Sequence, residues 1–243
     1  MKTGIFELLS NRKIAKNTYE WVLSGDVSDI TASGQFVNIQ LDGFYLRRPI
    51  SVCDAESGKL TLIFKAVGAG TEKMAEMLPG EKLDILTGLG NGYDLTKSGD
   101  APLLIGGGAG VPPMYMLCKR LIEAGKAPTV ILGFGSRDEI FYKEEFEALG
   151  AKVIVATADG SYGVRGFVTD AMTGLSYSYF YTCGPEPMLK AIYDKSETSG
   201  QFSFEERMGC GFGACMGCSC KTKYGNKRIC RDGPVLVKEE IIW

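Results

Sequence analysis

The 243-residue chain carries 27 basic and 29 acidic side chains, so it has no cationic excess for neutralising phosphates, and nucleic acid is disfavoured as a partner. It has no histidine, which excludes imidazole acid–base catalysis, His-bound zinc or haem and a Rieske centre, and leaves thiolate and carboxylate as metal ligands. At about 100–150 residues per domain the length corresponds to two domains, and 45% hydrophobic residues suffice for ordinary cores.

The N-terminal stretch 1–13 lacks the plan of a signal peptide. Glu7 and Asn11 interrupt its apolar residues and no small-residue cleavage site follows, which points to the cytoplasm. Residues 1–99 read as β-rich. The segment 35–41 alternates polar and apolar residues, 60–67 is apolar and β-branched, and 82–86 follows the Pro79-Gly80 turn. Short strands with turns between them predict a small antiparallel barrel, with one helix over 70–78.

Two elements of this half point to a dinucleotide. Arg48-Pro49-Ile50-Ser51 opens a strand; its arginine is suited to bidentate contact with a pyrophosphate, and Ser51 to a hydrogen bond with a flavin ring atom. Alone, the unit also fits a surface Arg-Pro turn. Downstream, Gly68-Ala69-Gly70-Thr71 opens the helix, whose free N–H groups favour phosphate. Lys65, Ala66 and Val67 form the strand end expected beside the cofactor.

From 100 to 199 the pattern changes to strands at 103–105, 129–134, 151–156 and 179–182. Helices between them reach about 124, span 142–149 and span 185–196. Such alternation predicts a parallel sheet with helices on its faces. The uncharged run 101–118 is long for a soluble segment, but Gly106, Gly107, Gly108, Gly110, Pro102, Pro112 and Pro113 rule out a lipid-exposed helix, and no membrane association is expected. Gly108, Gly110 and Pro113 form G-x-G-x-x-P between a strand and a helix, where a pyrophosphate can approach the backbone; a ligand-free βα turn has the same look. Cys183-Gly184-Pro185 ends a later strand on the same sheet edge, placing Cys183 either beside a nicotinamide or in the core as a small residue.

Five of the eight cysteines crowd into the last segment, 200–243, a small appended lobe. Cys210, Cys215, Cys218 and Cys230 follow C-x4-C-x2-C-x11-C, and the first spacings are those of plant-type [2Fe–2S] loops. Gly209, Gly211, Gly213 and Gly217 let the backbone fold tightly about the sulfurs. A four-cysteine zinc site is the alternative, though such sites come more often as two short pairs. Cys220 is left outside the ligand set, since two residues on from Cys218 it points elsewhere in an extended segment.

Taken together, Arg48 to Ser51, Gly108 to Pro113 and Cys183 to Pro185 resemble, in that order, the ferredoxin–NADP reductase superfamily. The late cysteine lobe is similar to that of the electron-transfer subunits of dihydroorotate dehydrogenase B. The resemblance runs from end to end. It implies an antiparallel FAD-binding β barrel (1–99), an α/β NAD-binding domain with a parallel sheet (100–199) and a C-terminal [2Fe–2S] lobe (200–243). It further implies a separate FMN-containing catalytic subunit that oxidises dihydroorotate, with electrons passing through [2Fe–2S] and FAD to NAD+ in a heterotetramer. Ser51 is expected to bond the flavin and Cys183 to flank the hydride path. The small subunit of NADH-dependent ferredoxin–NADP oxidoreductase has the same layout but typically carries Asp where Cys210 stands, so Cys210 favours the dihydroorotate family. Ser136 and Arg137 suit a 2′-phosphate, but Asp138 and Glu139 oppose it, and NAD is expected over NADP. Lys221, Lys223, Lys227, Arg228 and Arg231 make the lobe basic and are either a docking face or a solvated one. The alternative function is an NAD(P)H-dependent flavin and iron–sulfur reductase subunit serving another acceptor protein.

Overall fold

The computed structural model describes residues 1–243. The first half forms a closed six-stranded antiparallel barrel, ordered β1-β2-β5-β4-β3-β6. Its strands are β1 (Lys2–Ala15), β2 (Thr18–Ser24), β3 (Phe36–Ile39), β4 (Arg48–Glu56), β5 (Lys59–Lys65) and β6 (Lys82–Leu89). The β1–β2 pair was not anticipated from sequence, because polar and charged residues interrupt β1. It forms because Asn17 turns the chain in the left-handed region (φ 52), which asparagine tolerates. Alternate residues then point inward: Phe6, Leu8, Trp21, Leu23, Val37, Ile39, Leu60 and Leu62 fill the barrel. Trp21 meets the edge of Phe64 at 5.2 Å between ring centroids.

The helix α1 (Ala69–Glu76) closes one end of the barrel. The Thr71 hydroxyl accepts from the Val67 and Gly68 N–H groups at 3.0 and 3.3 Å. Asn11 of β1 donates to the carbonyls of Ala75 and Met77 at 3.1 and 2.8 Å, capping the other end.

The second half is a seven-stranded sheet, ordered β10-β9-β8-β7-β11-β12-β15. It comprises β7 (Leu103–Gly107), β8 (Thr129–Phe134), β9 (Lys152–Thr157), β10 (Val164–Arg165), β11 (Phe180–Cys183), β12 (Gly200–Ser203) and β15 (Val235–Val237). Only β15 runs antiparallel to its neighbour. The helices are α2 (Pro112–Glu123), α3 (Lys143–Ala148), α4 (Val168–Ala171) and α5 (Glu186–Lys195). The chain grows from β7 toward β10 and then returns to the other side at β11, so the topological switch point lies between β7 and β11, where α/β sheets bind ligands. No helix of the chain is long and apolar enough to cross a membrane.

The expected cut at residue 200 is not where the lobe separates. Gly200–Ser203 and Val235–Val237 are strands of the nucleotide sheet, paired with β11 and with each other. The part outside the sheet lies between them, with the hairpin β13 (Ser219–Thr222) and β14 (Gly225–Arg228) and the short helix α6 (Ile229–Asp232). Glycines and cysteines hid this, because a four-residue strand buried on both sides leaves no alternation to read.

Barrel and sheet share a core. Met116 of α2 sits in the barrel cluster, while Cys53 and Ile63 of the barrel sit in the α2 cluster. Around this joint the Tyr142 hydroxyl donates to Glu20 at 2.8 Å, and Lys119 pairs with Asp54 at 3.2 Å. Lys16 pairs with Asp138 at 3.1 Å and Lys65 with Glu139 at 2.7 Å.

One glycine governs how α2 leaves the sheet. A Cβ on Gly110 would stand 2.2 Å from the Cys183 carbonyl oxygen and 2.6 Å from the Gly184 nitrogen. Both obstacles are backbone and cannot rotate away. Gly110→Ala is therefore expected to lower unfolding stability by about 1–3 kcal/mol, read as a lower denaturation midpoint in chemical unfolding of the purified protein.

Candidate cofactor clefts and cysteine loop

The flavin-side cleft, of about 260 Å³, lies where β4 and β5 meet the chain leaving β12. Pro49, Ile50, Ser51, Lys65, Val67 and Thr71 line it, as the sequence led us to expect. Arg48 begins β4, next to Pro49 of this wall. Its guanidinium lies over the first turn of α1, so close that a Cβ on Gly70 would sit 2.1 Å from Nε, and it covers the Phe44 ring at 4.6 Å. Gly70 is thus a cradle for the arginine, and Arg48 together with the α1 N-terminus converges positive charge on one point, the chemistry a pyrophosphate requires. Ala66 is half-buried beside the cleft and does not line it.

Sequence reasoning missed the wall opposite. Ser203, Phe204, Glu205, Glu206 and Met208 complete the cleft from more than 150 residues downstream of Arg48. Glu205 is exposed on this wall, and desolvation by the protein around it raises its carboxyl above the ordinary carboxylate value. The usable signal was that β12 is the next parallel strand after β11, which sends residues 203–206 out at the ligand-binding edge.

The nucleotide-side cleft is larger, about 530 Å³, and opens at the carboxyl ends of β7, β8 and β9. Gly107, Gly108, Gly133, Gly135, Pro185 and Met188 line it. Gly108 has φ +51 and no atom within 4 Å of a Cβ position, so its backbone is open to a ligand. The structure does not bring every expected residue here. Gly110 and Pro113 are buried and make the turn instead. Gly184 faces a separate cavity near the C-terminus. Cys183 is 1% exposed; burial raises its thiol, with nearby Glu205 adding to the shift and Ser203 partly offsetting it. A missed contributor is Phe167, 69% exposed at the cleft's lip. Its signal was the glycine-rich loop after β9, at the same sheet edge. Lys65 and Glu139 both line this cleft. Asp138 is held by Ser136 and Lys16, so the acidic pair next to Arg137 is fixed in place.

The cysteine loop lies on the far side of the flavin cleft. The loop closes on itself: a Cβ on Gly209 would stand 3.3 Å from the Cys215 sulfur, and Cys218 and Cys230 are buried in one cluster. Four cysteines of one glycine-rich loop are the ligand set an iron–sulfur centre takes. Backbone N–H groups point at the sulfurs: Ala214 to Cys210 at 3.2 Å, Gly217 to Cys215 at 3.4 Å and Cys230 to Cys218 at 3.4 Å. Burial would raise the Cys210 thiol, but the N–H groups of Cys215 and Phe212, the Cys215 thiol and the Ala214 N–H outweigh it and hold it at about 6. Cys230 is pushed up to about 12, first by burial and then by the Cys218 thiol. Cys220 is half-buried on β13 and lines the C-terminal cavity beside Trp243. Of the basic residues, Lys227 is tied to Glu240 and Arg228 to Asp232 at 3.1 Å, while Lys221, Lys223 and Arg231 are exposed. The loop's rim is apolar at Phe212, Met216 and Tyr224, which are 43%, 55% and 78% exposed.

Comparison with known proteins agrees with this layout. The "iron-sulfur cluster binding domain of dihydroorotate dehydrogenase B" family matches residues 205–242, and the "oxidoreductase NAD-binding domain" family matches residues 104–194. The electron transfer subunit of dihydroorotate dehydrogenase B (NAD(+)) from Bacillus pumilus is 44% identical, over 99% of this chain and 98% of its own. The chain belongs to this family of electron transfer subunits. The counterpart from Fusobacterium nucleatum is likewise 44% identical, over 95% of both chains. Among solved structures, the NADH-dependent reduced ferredoxin-NADP oxidoreductase superposes with a TM-score of 0.89 at 30% identity, over 98% of this chain and 89% of that one. A ferredoxin NADP+ reductase from Neisseria gonorrhoeae with bound FAD and NADP shares the fold alone, with a TM-score of 0.70 at 16% identity, over 80% of this chain and 90% of that one. As a family member the chain is an oxidoreductase subunit of electron transfer, with an iron–sulfur cluster binding domain and an NAD-binding domain.

The clamp gives a direct expectation. Arg48→Ala removes charge-assisted bonds of about 1.5–3 kcal/mol. FAD affinity is expected to fall about 10- to 100-fold, measured by flavin fluorescence during titration of the deflavinated protein.

Proposed function

We propose that this chain relays electrons from the FMN of a dihydroorotate-oxidising catalytic subunit, through [2Fe–2S] and FAD, to NAD+, in a cytoplasmic heterotetramer. One observation carries the reading: the three candidate sites stand in a row with common walls. Lys65 lines both the flavin and the nucleotide clefts. Met208 lines the flavin cleft two residues before Cys210. The functional division follows the fold: a barrel over 1–99, a nucleotide domain over 100–199 that also takes the strands Gly200–Ser203 and Val235–Val237, and the cluster loop between those strands.

When bound, FAD supplies the exchange between a hydride and single electrons, and the cluster carries electrons one at a time. The protein's work is placement. Arg48, Gly70 and Thr71 hold the FAD pyrophosphate end, and Pro49, Ile50, Ser51, Lys65, Ala66 and Val67 flank the rest. Gly108 and Pro185 border the nucleotide's path, while Gly110, Pro113, Cys183 and Gly184 set the backbone from which that path is built. Cys210, Cys215, Cys218 and Cys230 ligate the irons. The absence of histidine fits this division of labour, since no step calls on the chain for a strong base. The apolar side chains of Phe212, Met216 and Tyr224 are the natural contact for the partner, because they are exposed on the segment that carries the cysteines.

The complex purified anaerobically with this chain is expected to oxidise NADH in an orotate-dependent manner and to contain an FMN protein. Oxidation supported by artificial dyes and not by orotate would overturn the dihydroorotate assignment and leave a reductase for another acceptor. Ser51→Ala is expected to retain FAD and slow flavin reduction by NADH about 3- to 10-fold, the worth of one hydrogen bond; stopped-flow absorbance at an unchanged rate would remove Ser51 from its role.

A further inference from the structure

The strand β3 separates two environments. Val37 and Ile39 point into the barrel core. Phe36 and Asn38 point the other way, and Phe36 packs in the cluster that holds Cys218 and Cys230. Phe36 also lines the flavin cleft, and Asn38 is paired in register with Pro49 of β4, a residue of that cleft. Asn38 therefore lies one strand spacing from the flavin wall and directly under the cysteine loop.

Asn38 is only 1% exposed. Its side chain has one hydrogen bond, from Nδ2 to the carbonyl oxygen of Cys210 at 3.3 Å. Its Oδ1 is buried with no partner. An orphaned buried acceptor costs about 1–3 kcal/mol, and an apolar residue of similar volume would avoid that cost. The loop is shaped around this amide. Gly211 has φ +80, and a Cβ there would stand 2.4 Å from Asn38 Nδ2. The main chain of Asn38 is fixed as well, its carbonyl accepting from Arg47 at 3.3 Å while Arg47 pairs with Asp84 at 2.8 Å.

We propose that Asn38 is a positioning residue for the cluster: its amide pins the Cys210–Gly211 peptide to the flavin-bearing barrel. That peptide opens the turn whose Ala214 and Cys215 N–H groups reach back to the Cys210 sulfur at 3.2 and 3.5 Å. Such bonds tune the reduction potential of an iron–sulfur centre. Holding the Cys210 carbonyl thus fixes both the distance from cluster to flavin cleft and the field at the nearest sulfur. The inference rests on the reading of Cys210 as a cluster ligand.

The test uses the full chain with FAD and cluster, purified anaerobically, and the variants Asn38→Leu and Asn38→Ala. Leucine keeps the volume and removes the orphaned acceptor; alanine keeps the proposal testable if leucine prevents folding. Both variants are expected to retain FAD. Their dithionite-reduced clusters should show an altered electron paramagnetic resonance spectrum and a displaced midpoint potential, and loss of cluster to a chelator should be about 10-fold faster. A purely structural role would change the denaturation midpoint and leave spectrum and potential where they were, and that result overturns the proposal. Failure of the underlying reading is distinct: the unaltered chain itself would then lack iron and sulfide in equal amounts and show no reduced-cluster signal.

Discussion

Everything in this molecule depends on a joint between two bodies of different architecture. The barrel and the parallel sheet exchange core residues, with Met116 of the sheet's helix entering the barrel cluster and Cys53 and Ile63 of the barrel entering the sheet's. Apolar burial of this kind has no preferred direction. Polar contacts therefore fix the angle: Tyr142 to Glu20, Lys119 to Asp54, Lys16 to Asp138 and Lys65 to Glu139. Because both clefts are formed along this joint, their relative placement is inherited from it. A hydride moves only between atoms near van der Waals contact, so the joint's rigidity is a condition of the chemistry and not only of stability.

The cysteine loop is built under a second constraint. A segment rich in glycine and cysteine has little apolar surface and cannot fold by its own core. It borrows order from its surroundings. β12 and β15 tie its ends into the sheet, Ile229, Cys218 and Cys230 sink into the sheet's cluster, and Asn38 reaches it from the barrel. The loop thus touches both bodies at once, which is where a relay between a partner and a flavin has to stand.

Much of this was legible in the sequence, for reasons that differ by element. The nucleotide-domain strands were readable because parallel strands buried on both faces are continuous apolar runs, as at Thr129–Phe134. Arg48 opens its strand as expected, because a proline follows it and biases it to extended backbone. The four cysteines announced themselves by spacing. What escaped was set by tertiary contact. Gly110 and Gly108 belong to one motif, yet only the backbone of Cys183 decides that the first is packing and the second faces the cleft. Glu205 and Ser203 reach the flavin cleft by topology, and no local pattern marks them. Asn38 looks like an ordinary polar interruption in a strand until the fold places Cys210 above it. The strand pair at residues 2–24 was hidden because its outer face is charged and its inner face alternates only weakly.

The threading of the last segment through the sheet also bears on how this protein can be taken apart. β11 lies between β7 and β12, and its four residues Phe180–Cys183 are all buried. A truncation before Gly200 would strip β12 and β15 away together and turn β11 into a bare, apolar edge, the kind of surface that recruits other chains. The cluster segment is therefore no detachable cartridge. Grafting it elsewhere, or trimming it to leave a simpler flavoprotein, means cutting on the loop side of Ser203 and Val235 and leaving both strands behind.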